Sequence, residues 1–145
     1  MNPRPNPGVH DDRSGLLRLT RNECVELLAA NGIGRIVFVD DGQPLALPVN
    51  YAWFEDTVVF RTGDGQKLAA AASGQRVAFE IDEIDNKTRE GTSVLVKGTA
   101  RTVQNWAERE QLEQLGVQPW QRLPWRRDWV RVAPDEITGR RLDLS

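Results

Sequence analysis

The sequence predicts a mainly β domain with short helices, folded as a closed or nearly closed antiparallel barrel. Two observations carry this. Short runs of β-branched and aromatic residues recur along the chain, each ended by a turn rich in Gly, Asn or Asp. Only brief helical signals interrupt them, which favours five or six strands wrapped on one core. With 145 residues the chain has the size of one domain with one real core.

Residues 1–15 are polar and proline-rich, lack the apolar centre of a signal peptide, and read as a disordered tail. The folded domain is expected over residues 16–145. Thr20 followed by Glu23 has capping-box spacing, with Leu19 and Cys24 placed as a hydrophobic staple. Cys24, Leu27 and Leu28 share a helical face and Asn31-Gly32 supplies a stop, so a short first helix is expected. Ile36 to Val39 then forms a strand run ending at Asp40-Asp41-Gly42, a hairpin signal.

Leu45, Leu47, Val49, Tyr51 and Trp53 alternate with smaller or polar residues, as on a half-buried strand. Pro48 interrupts it. Proline removes a ladder donor, so an edge, a bulge or a place where backbone serves a ligand is expected there. Glu55-Asp56 marks a turn and Thr57 to Thr62 the third strand. Gln66 to Ser73, between glycines, reads as a short helix. Val77, Phe79 and Ile81 alternate on a fourth strand before the charged loop 82–90, and Thr92 to Val103 forms a long fifth. Asn105 and Glu108 cap a further helix ending at Gly116, then Trp120, Trp125 and Trp129 lead into a last strand, Trp129 to Val132.

Composition narrows the chemistry. The net charge is −2, from 19 basic and 21 acidic residues, whereas nucleic-acid binding usually needs a basic excess. An oligonucleotide-binding barrel with tryptophan platforms is the reading this disfavours. No apolar run approaches the roughly 20 residues of a membrane helix. The single histidine, His10, lies in the tail, so a Ser-His-Asp triad or a multi-His zinc site has no material. Cys24 alone excludes a disulfide framework, suits a reducing cytoplasmic compartment, and reads as a buried small hydrophobe. An enzyme of this composition would borrow its chemistry from a cofactor.

The segment richest in chemistry is Val58-Val59-Phe60-Arg61-Thr62-Gly63-Asp64-Gly65-Gln66-Lys67-Leu68. A strand runs through a glycine-rich turn into a helix start, where free N–H groups and the positive helix end converge on a point that suits an anion. Arg61, Thr62 and Lys67 add two cations and a hydroxyl. Lys67 opposes the helix dipole at a cost of about 0.3–1 kcal/mol, and a docked phosphate would reverse that sign. On spacing alone a solvated lysine beside a capping Asp64 is the favoured reading, since the turn is neither a Walker loop nor a dinucleotide fingerprint.

That string resembles the corresponding segment of the pyridoxamine 5′-phosphate oxidase-like, FMN-binding split-barrel family. So do Ile33-Gly34-Arg35-Ile36, Leu47-Pro48-Val49-Asn50-Tyr51, Val77-Ala78-Phe79-Glu80 and Ser93-Val94-Leu95-Val96-Lys97-Gly98, in order and spacing from about Leu19 to Val103. The resemblance implies a six-stranded antiparallel split β-barrel, homodimeric, with two FMN cofactors in clefts between subunits. It implies that Arg61, Thr62 and Lys67 hold the phosphate. The backbone of Pro48, Val49, Asn50 and Tyr51 would run along the isoalloxazine edge, Ser93 would reach the flavin of the partner chain, and Trp129 would cover the second cofactor; on the residues alone, a strand serine is more often structural and a tryptophan more often a core or interface anchor.

The substrate-phosphate features of pyridoxamine phosphate oxidases are not recognisable here; Arg140 and Arg141 have no surrounding motif. The implied function is therefore an FMN-dependent oxidoreductase acting on an unidentified small molecule. The deazaflavin F420 is an alternative cofactor, and a non-catalytic flavin or haem carrier or redox sensor is an alternative role. No side chain stands out as a general acid or base; Tyr51 could donate a proton, but packing in the barrel is its favoured reading.

Overall fold

The computed structural model describes residues 16–62, 65–118 and 128–142, with backbone only for residues 65–67 and 70. The chain runs β1 (Leu16–Arg18), α1 (Arg21–Ala30), β2 (Ile33–Asp40), β3 (Gln43–Phe54), β4 (Thr57–Thr62), α2 (Gly65–Ala72), β5 (Arg76–Ile84), β6 (Gly91–Thr102), α3 (Trp106–Glu113) and β7 (Asp128–Leu142). Neighbouring strands follow the order β1-β7-β4-β3-β2-β5-β6, and a further pairing of β6 with β7 closes the ring. All pairs are antiparallel, so the expected six-stranded antiparallel barrel is present, with the short β1 appended. Trp120, Trp125, His10 and the tail over residues 1–15, for which expectations were given above, lie outside the described residues.

Closure depends on β7. Its residues Asp128 to Val132 pair with β4, Arg140 to Leu142 pair with β1 on the same edge, and its other edge pairs with β6. The strand runs well past the Trp129–Val132 stretch expected from the sequence, because Pro134 and Asp135 do not break it. The register shifts between Lys97 and Gly98: Lys97 faces Glu136 and Gly98 faces Pro134, so Asp135 is the extra residue of a bulge. A bulge tolerates a proline that a regular ladder would not. Gly98 is required opposite it, since a Cβ there would collide with the Ala133 carbonyl oxygen.

Local signals set the helices. The Thr20 side chain accepts from the Glu23 N–H at 3.2 Å, and the Glu23 carboxylate accepts from the Thr20 N–H at 3.0 Å, completing the capping box. Asn105 Oδ1 accepts from the N–H groups of Ala107 and Glu108 at the start of α3. Cys24 is fully buried, as expected of a small hydrophobe, and burial pushes its thiol pKa up. Among the described residues no helix is long and apolar enough to cross a membrane.

Two apolar clusters form around β4, both of whose faces are covered. Val58 and Phe60 point into the barrel with Ile36, Phe38, Phe79, Val94 and Val96. Val59 points the other way, into a cluster with Val103, Leu112, Val117 and Trp129 beneath α3. This accounts for the uninterrupted apolar run Val58-Val59-Phe60 in a strand of an otherwise alternating protein.

Candidate functional site

The ladder between β3 and β4 is short. It runs from Phe54↔Thr57 to Tyr51↔Phe60 and stops. Beyond it β3 stays paired with β2 through the whole stretch from Asn50↔Ile33 to Gln43↔Asp40, while β4 follows β7 as far as Thr62↔Asp128 and leads into α2. The barrel wall therefore splits between the edge of β3 before Tyr51 and the end of β4. Pro48, Val49 and Asn50 lie on one side of this split, and Arg61 and Thr62 on the other.

The direction of the edge groups follows from one hydrogen bond. The Tyr51 N–H donates to the Gly32 carbonyl at 3.0 Å, on the β2 side. Backbone polar groups alternate along a strand, so those of Asn50, Pro48, Ala46 and Pro44 point to the open side. Both prolines sit where the missing N–H costs no ladder bond, leaving carbonyls at each of these positions and N–H donors at Ala46 and Asn50. A strand edge thinned of donors in this way is poorly suited to strand addition, yet still offers hydrogen bonds to a planar ligand.

Side chains at the split divide by face. Val49 and Tyr51 are buried toward the core, whereas Pro48 is exposed. Asn50 is half-buried and its Nδ2 donates to the Gln118 carbonyl at 2.8 Å. The Tyr51 ring packs edge-on to Phe79, and burial followed by the Glu83 charge pushes its hydroxyl pKa far up. Tyr51 packs in the barrel, as its favoured reading expected: its side chain is buried and its hydroxyl donates to the Leu28 carbonyl.

On the other side, Thr62 is buried, with its hydroxyl 3.5 Å from the Asp128 carbonyl. Arg61 shares the outward face of β4 with Val59, beneath α3. It is directly opposite Trp129 on β7, and its guanidinium lies 4.9 Å from the centre of the indole. Its Nη1 is 2.9 Å from Glu113 Oε2, and Trp129 Nε1 donates to Glu113 Oε1 at 3.1 Å. Trp129 is fully buried in the single chain, in keeping with its reading as a core anchor; the indole packs α3 against β4 and β7. Lys67 falls in the first turn of α2, and its side chain, with Gly63 and Asp64, lies outside the described residues.

Ser93 is elsewhere. It is half-buried on β6, flanked by Asp82 of β5 and Arg140 of β7. Thr62 pairs with Asp128 at the other end of β7, 12 residues away (140 − 128) and roughly 40 Å of strand. One chain thus gathers the β3 edge, Arg61, Thr62 and the start of α2, and leaves Ser93 remote from them.

Two groups escaped the sequence reading. Glu113 carries a faint signal, an acid in the last turn of a helix, where the dipole disfavours it. The other is an outward cluster in which Arg35 Nη1 lies 3.0 Å from Asp82 and 3.9 Å from Glu80. Burial of Glu80, then its hydrogen bond and charge contact with Asp82, push its pKa up to about 7 against the opposing effect of Arg35. Alternating acids in Glu80-Ile81-Asp82 were its only trace in the sequence. Among the described residues no group of three His, Cys, Asp or Glu side chains could hold a metal.

Comparison with known proteins agrees with this architecture. The FAD-binding protein of Mycobacterium smegmatis superposes with a TM-score of 0.71 at 40 % identity, over 86 % of this chain and 98 % of that one. A protein of unknown function from Corynebacterium diphtheriae superposes with a TM-score of 0.75 at 27 % identity, over 89 % and 99 %. An uncharacterised protein of Mycobacterium tuberculosis is 31 % identical over 132 residues, covering 88 % of this chain and 86 % of its own. The profile of the pyridoxamine 5′-phosphate oxidases matches residues 20–141. With that match and the split antiparallel barrel, this chain belongs to the pyridoxamine 5′-phosphate oxidase-like family.

Proposed function

We propose that this protein binds a flavin in the split between β3 and β4, with the flavin phosphate at the turn into α2. The observation that supports this is the open β3 edge at Pro48 to Asn50 across from the end of β4 at Thr62, after which α2 begins at Gly65. An open edge offering carbonyls and an occasional N–H suits the polar rim of a planar heterocycle. The first turn of α2 would offer its N–H groups to a phosphate, with the Thr62 hydroxyl and Lys67 assigned to it in this reading. Arg61, which precedes Thr62 on β4, is the second cation this reading assigns to the phosphate. The 40 % identical relative that binds FAD supports a flavin, and favours FAD beside FMN as the form to test.

A homodimer completes the reading. Ser93 lies too far along β7 to serve the split of its own chain, so only Ser93 of the partner subunit would reach it. Bound flavin would supply hydride or electron transfer. The residues of the chain would orient the ring along β3, hold the phosphate and keep Tyr51 out of proton transfer. The role is then oxidoreduction of a small molecule, or flavin carriage without turnover.

Titration of the protein with FMN, FAD and riboflavin, followed by flavin fluorescence, tests the site. Arg61→Ala with Lys67→Ala should weaken binding of the phosphorylated flavins, each charge-assisted contact contributing roughly 1.5–3 kcal/mol. Undiminished affinity in the double variant removes the site, and a monomer in sedimentation removes the shared cleft. Bleaching by NAD(P)H and return of colour with an oxidant would mark turnover, and stable colour would mark a carrier.

A further inference from the structure

The run Ile36-Val37-Phe38-Val39 on β2 is as uninterrupted as Val58-Val59-Phe60 on β4, and such a run suits a strand covered on both faces. On β4 both covers are present, the barrel on one side and α3 on the other. On β2 one is missing. Ile36 and Phe38 are buried in the barrel, whereas on the outside Ile33 is 59 % and Val39 49 % exposed. Val37 is paired with Ala46 and Ala78, and Val39 with Pro44, so the apolar surface continues onto β3 and β5. Among the described residues, the outer cluster beneath α3 includes none of these.

A small charge cluster sits in the middle of this face. Arg35 is directly opposite Glu80, and its Nη1 lies 3.0 Å from Asp82 and 3.9 Å from Glu80. Leu95 of β6 flanks Glu80 on the other side, and Lys97, the next outward residue of β6, reaches Glu136 at 4.0 Å. Arg35 remains half-exposed, and one Glu80 oxygen is buried with no hydrogen-bond partner among the described residues. A patch holding both signs of charge within an apolar surround is complementary to itself. Set against a copy, each guanidinium faces the other copy's carboxylates. Two copies bring two guanidinium groups to four carboxylates, so one acid per copy can stay charged. Glu80, whose pKa burial has already raised to about 7, is the one that would carry a proton.

We infer that this outer face of β2 and β5 seats a second copy of the chain, about a two-fold axis along the seam between the two strands, with Arg35 of each copy set against Glu80 and Asp82 of the other. This rests on the homodimer proposed above and names its contact surface. The axis lays β5 of the partner over β2, on the side of β3 and the split, which is the side to which Ser93 of the partner subunit must come. An axis across the strands would lay β2 on β2 and leave β6 of the partner on the far side. Pro44, Ala46 and Pro48 border both the face and the split, so a copy seated here also walls the split.

Sedimentation equilibrium of wild type, Ile33→Glu, Val39→Glu and, outside the face, Trp106→Glu tests the surface. Ile33 and Val39 are exposed in the single chain, so a carboxylate there should leave the circular dichroism spectrum intact. It should raise the dimer Kd about 10-fold or more. Trp106→Glu, at a 74 % exposed position on α3, should leave the Kd unchanged. A second measurement needs no dissociation. Val37→Cys, close to the axis, should form a disulfide between subunits under mild oxidation, because Cys24 is buried and out of reach. Should a face variant not fold, the cross-link decides alone. If wild type is a monomer at every concentration, the homodimer and this surface fail together. A dimer that both folded face variants leave as tight as wild type keeps the homodimer and overturns this surface, as does a Val37→Cys dimer without the cross-link.

Discussion

The Tyr51 hydroxyl donates a 2.7 Å hydrogen bond to the Leu28 carbonyl, tying the middle of β3 to the last turn of α1. The last carbonyls of a helix have no partner within it, and here two are served by side chains: Leu28 by Tyr51 and Leu27 by Asn31 Nδ2, also at 2.7 Å. Tyr51→Phe leaves a buried carbonyl unsatisfied and should cost about 1–3 kcal/mol in urea unfolding. Flavin affinity should not change. Loss of binding at unchanged stability would return the hydroxyl to the functional site.

Glu80 should make the fold weaker at higher pH. One of its carboxylate oxygens is buried without a hydrogen-bond partner, and its pKa in the folded chain is about 7, above the ordinary carboxylate value. The folded state therefore takes up a proton more readily than the unfolded one, so stability is fully present below the ordinary value and declines as pH rises through about 7. Glu80→Gln should raise stability at pH 8, by on the order of 1–2 kcal/mol, and change little at pH 4. Thermal melts across that range decide it; equal gains at both ends would show that ionisation of Glu80 is not the cause.

Arg131 clamps three elements. Its Nε donates to Thr57 Oγ1 at 2.8 Å, its Nη1 to Glu108 Oε1 at 2.8 Å and its Nη2 to Glu55 Oε2 at 3.1 Å. Hydrogen bonding to Arg101, ahead of that to Arg131, lowers the Glu108 pKa, so this part of the stability is present above the ordinary carboxylate range and is lost on acidification. Arg131→Met should destabilise by roughly 2–4 kcal/mol, less than a fully buried pair because Glu55 is 57 % exposed and Arg101 still serves Glu108. Chemical denaturation at neutral pH measures the loss, and a neutral substitution would mean that the clamp is only surface decoration.

Gly98→Ala should be among the most damaging single-methyl changes available. The added Cβ would strike backbone, the Ala133 carbonyl, and no rotamer change can relieve that. Loss of several kcal/mol or failure to fold is expected. Gly139 poses a milder version, since the two nearest atoms its added Cβ would meet, the Cys24 sulfur and a Leu19 methyl, belong to side chains, and the Ser93 carbonyl oxygen lies farther off at 3.2 Å. A Gly98→Ala protein as stable as Gly139→Ala would contradict the bulge geometry.

Much of the fold was legible because its signals are local. The Thr20–Glu23 box, the Asp41-Gly42 turn and the Asn105 cap are each decided within four residues, and the structure reproduces them. The strand Thr57–Thr62 was read with its bounds unchanged. The length of β7 was not legible, since Pro134 reads as a stop unless one knows that Gly98 lies opposite. At the candidate site, the Pro48 edge could be anticipated from proline chemistry. The pairing of Arg61 with Glu113 could not, because nothing within the sequence around Arg61 says that α3 will settle over it.

The double duty of β7 has a consequence for how the protein is made. On a ribosome, β2 to β6 emerge early and can form hairpins with their neighbours, but β4 finds its second flank only in β7. Until residues 128–142 are released, β4 and β6 each present an unpaired margin, and long-range closure of this kind is slow. Nascent chains should therefore remain protease-sensitive and chaperone-dependent until residues 128–142 have emerged, then acquire resistance in one step.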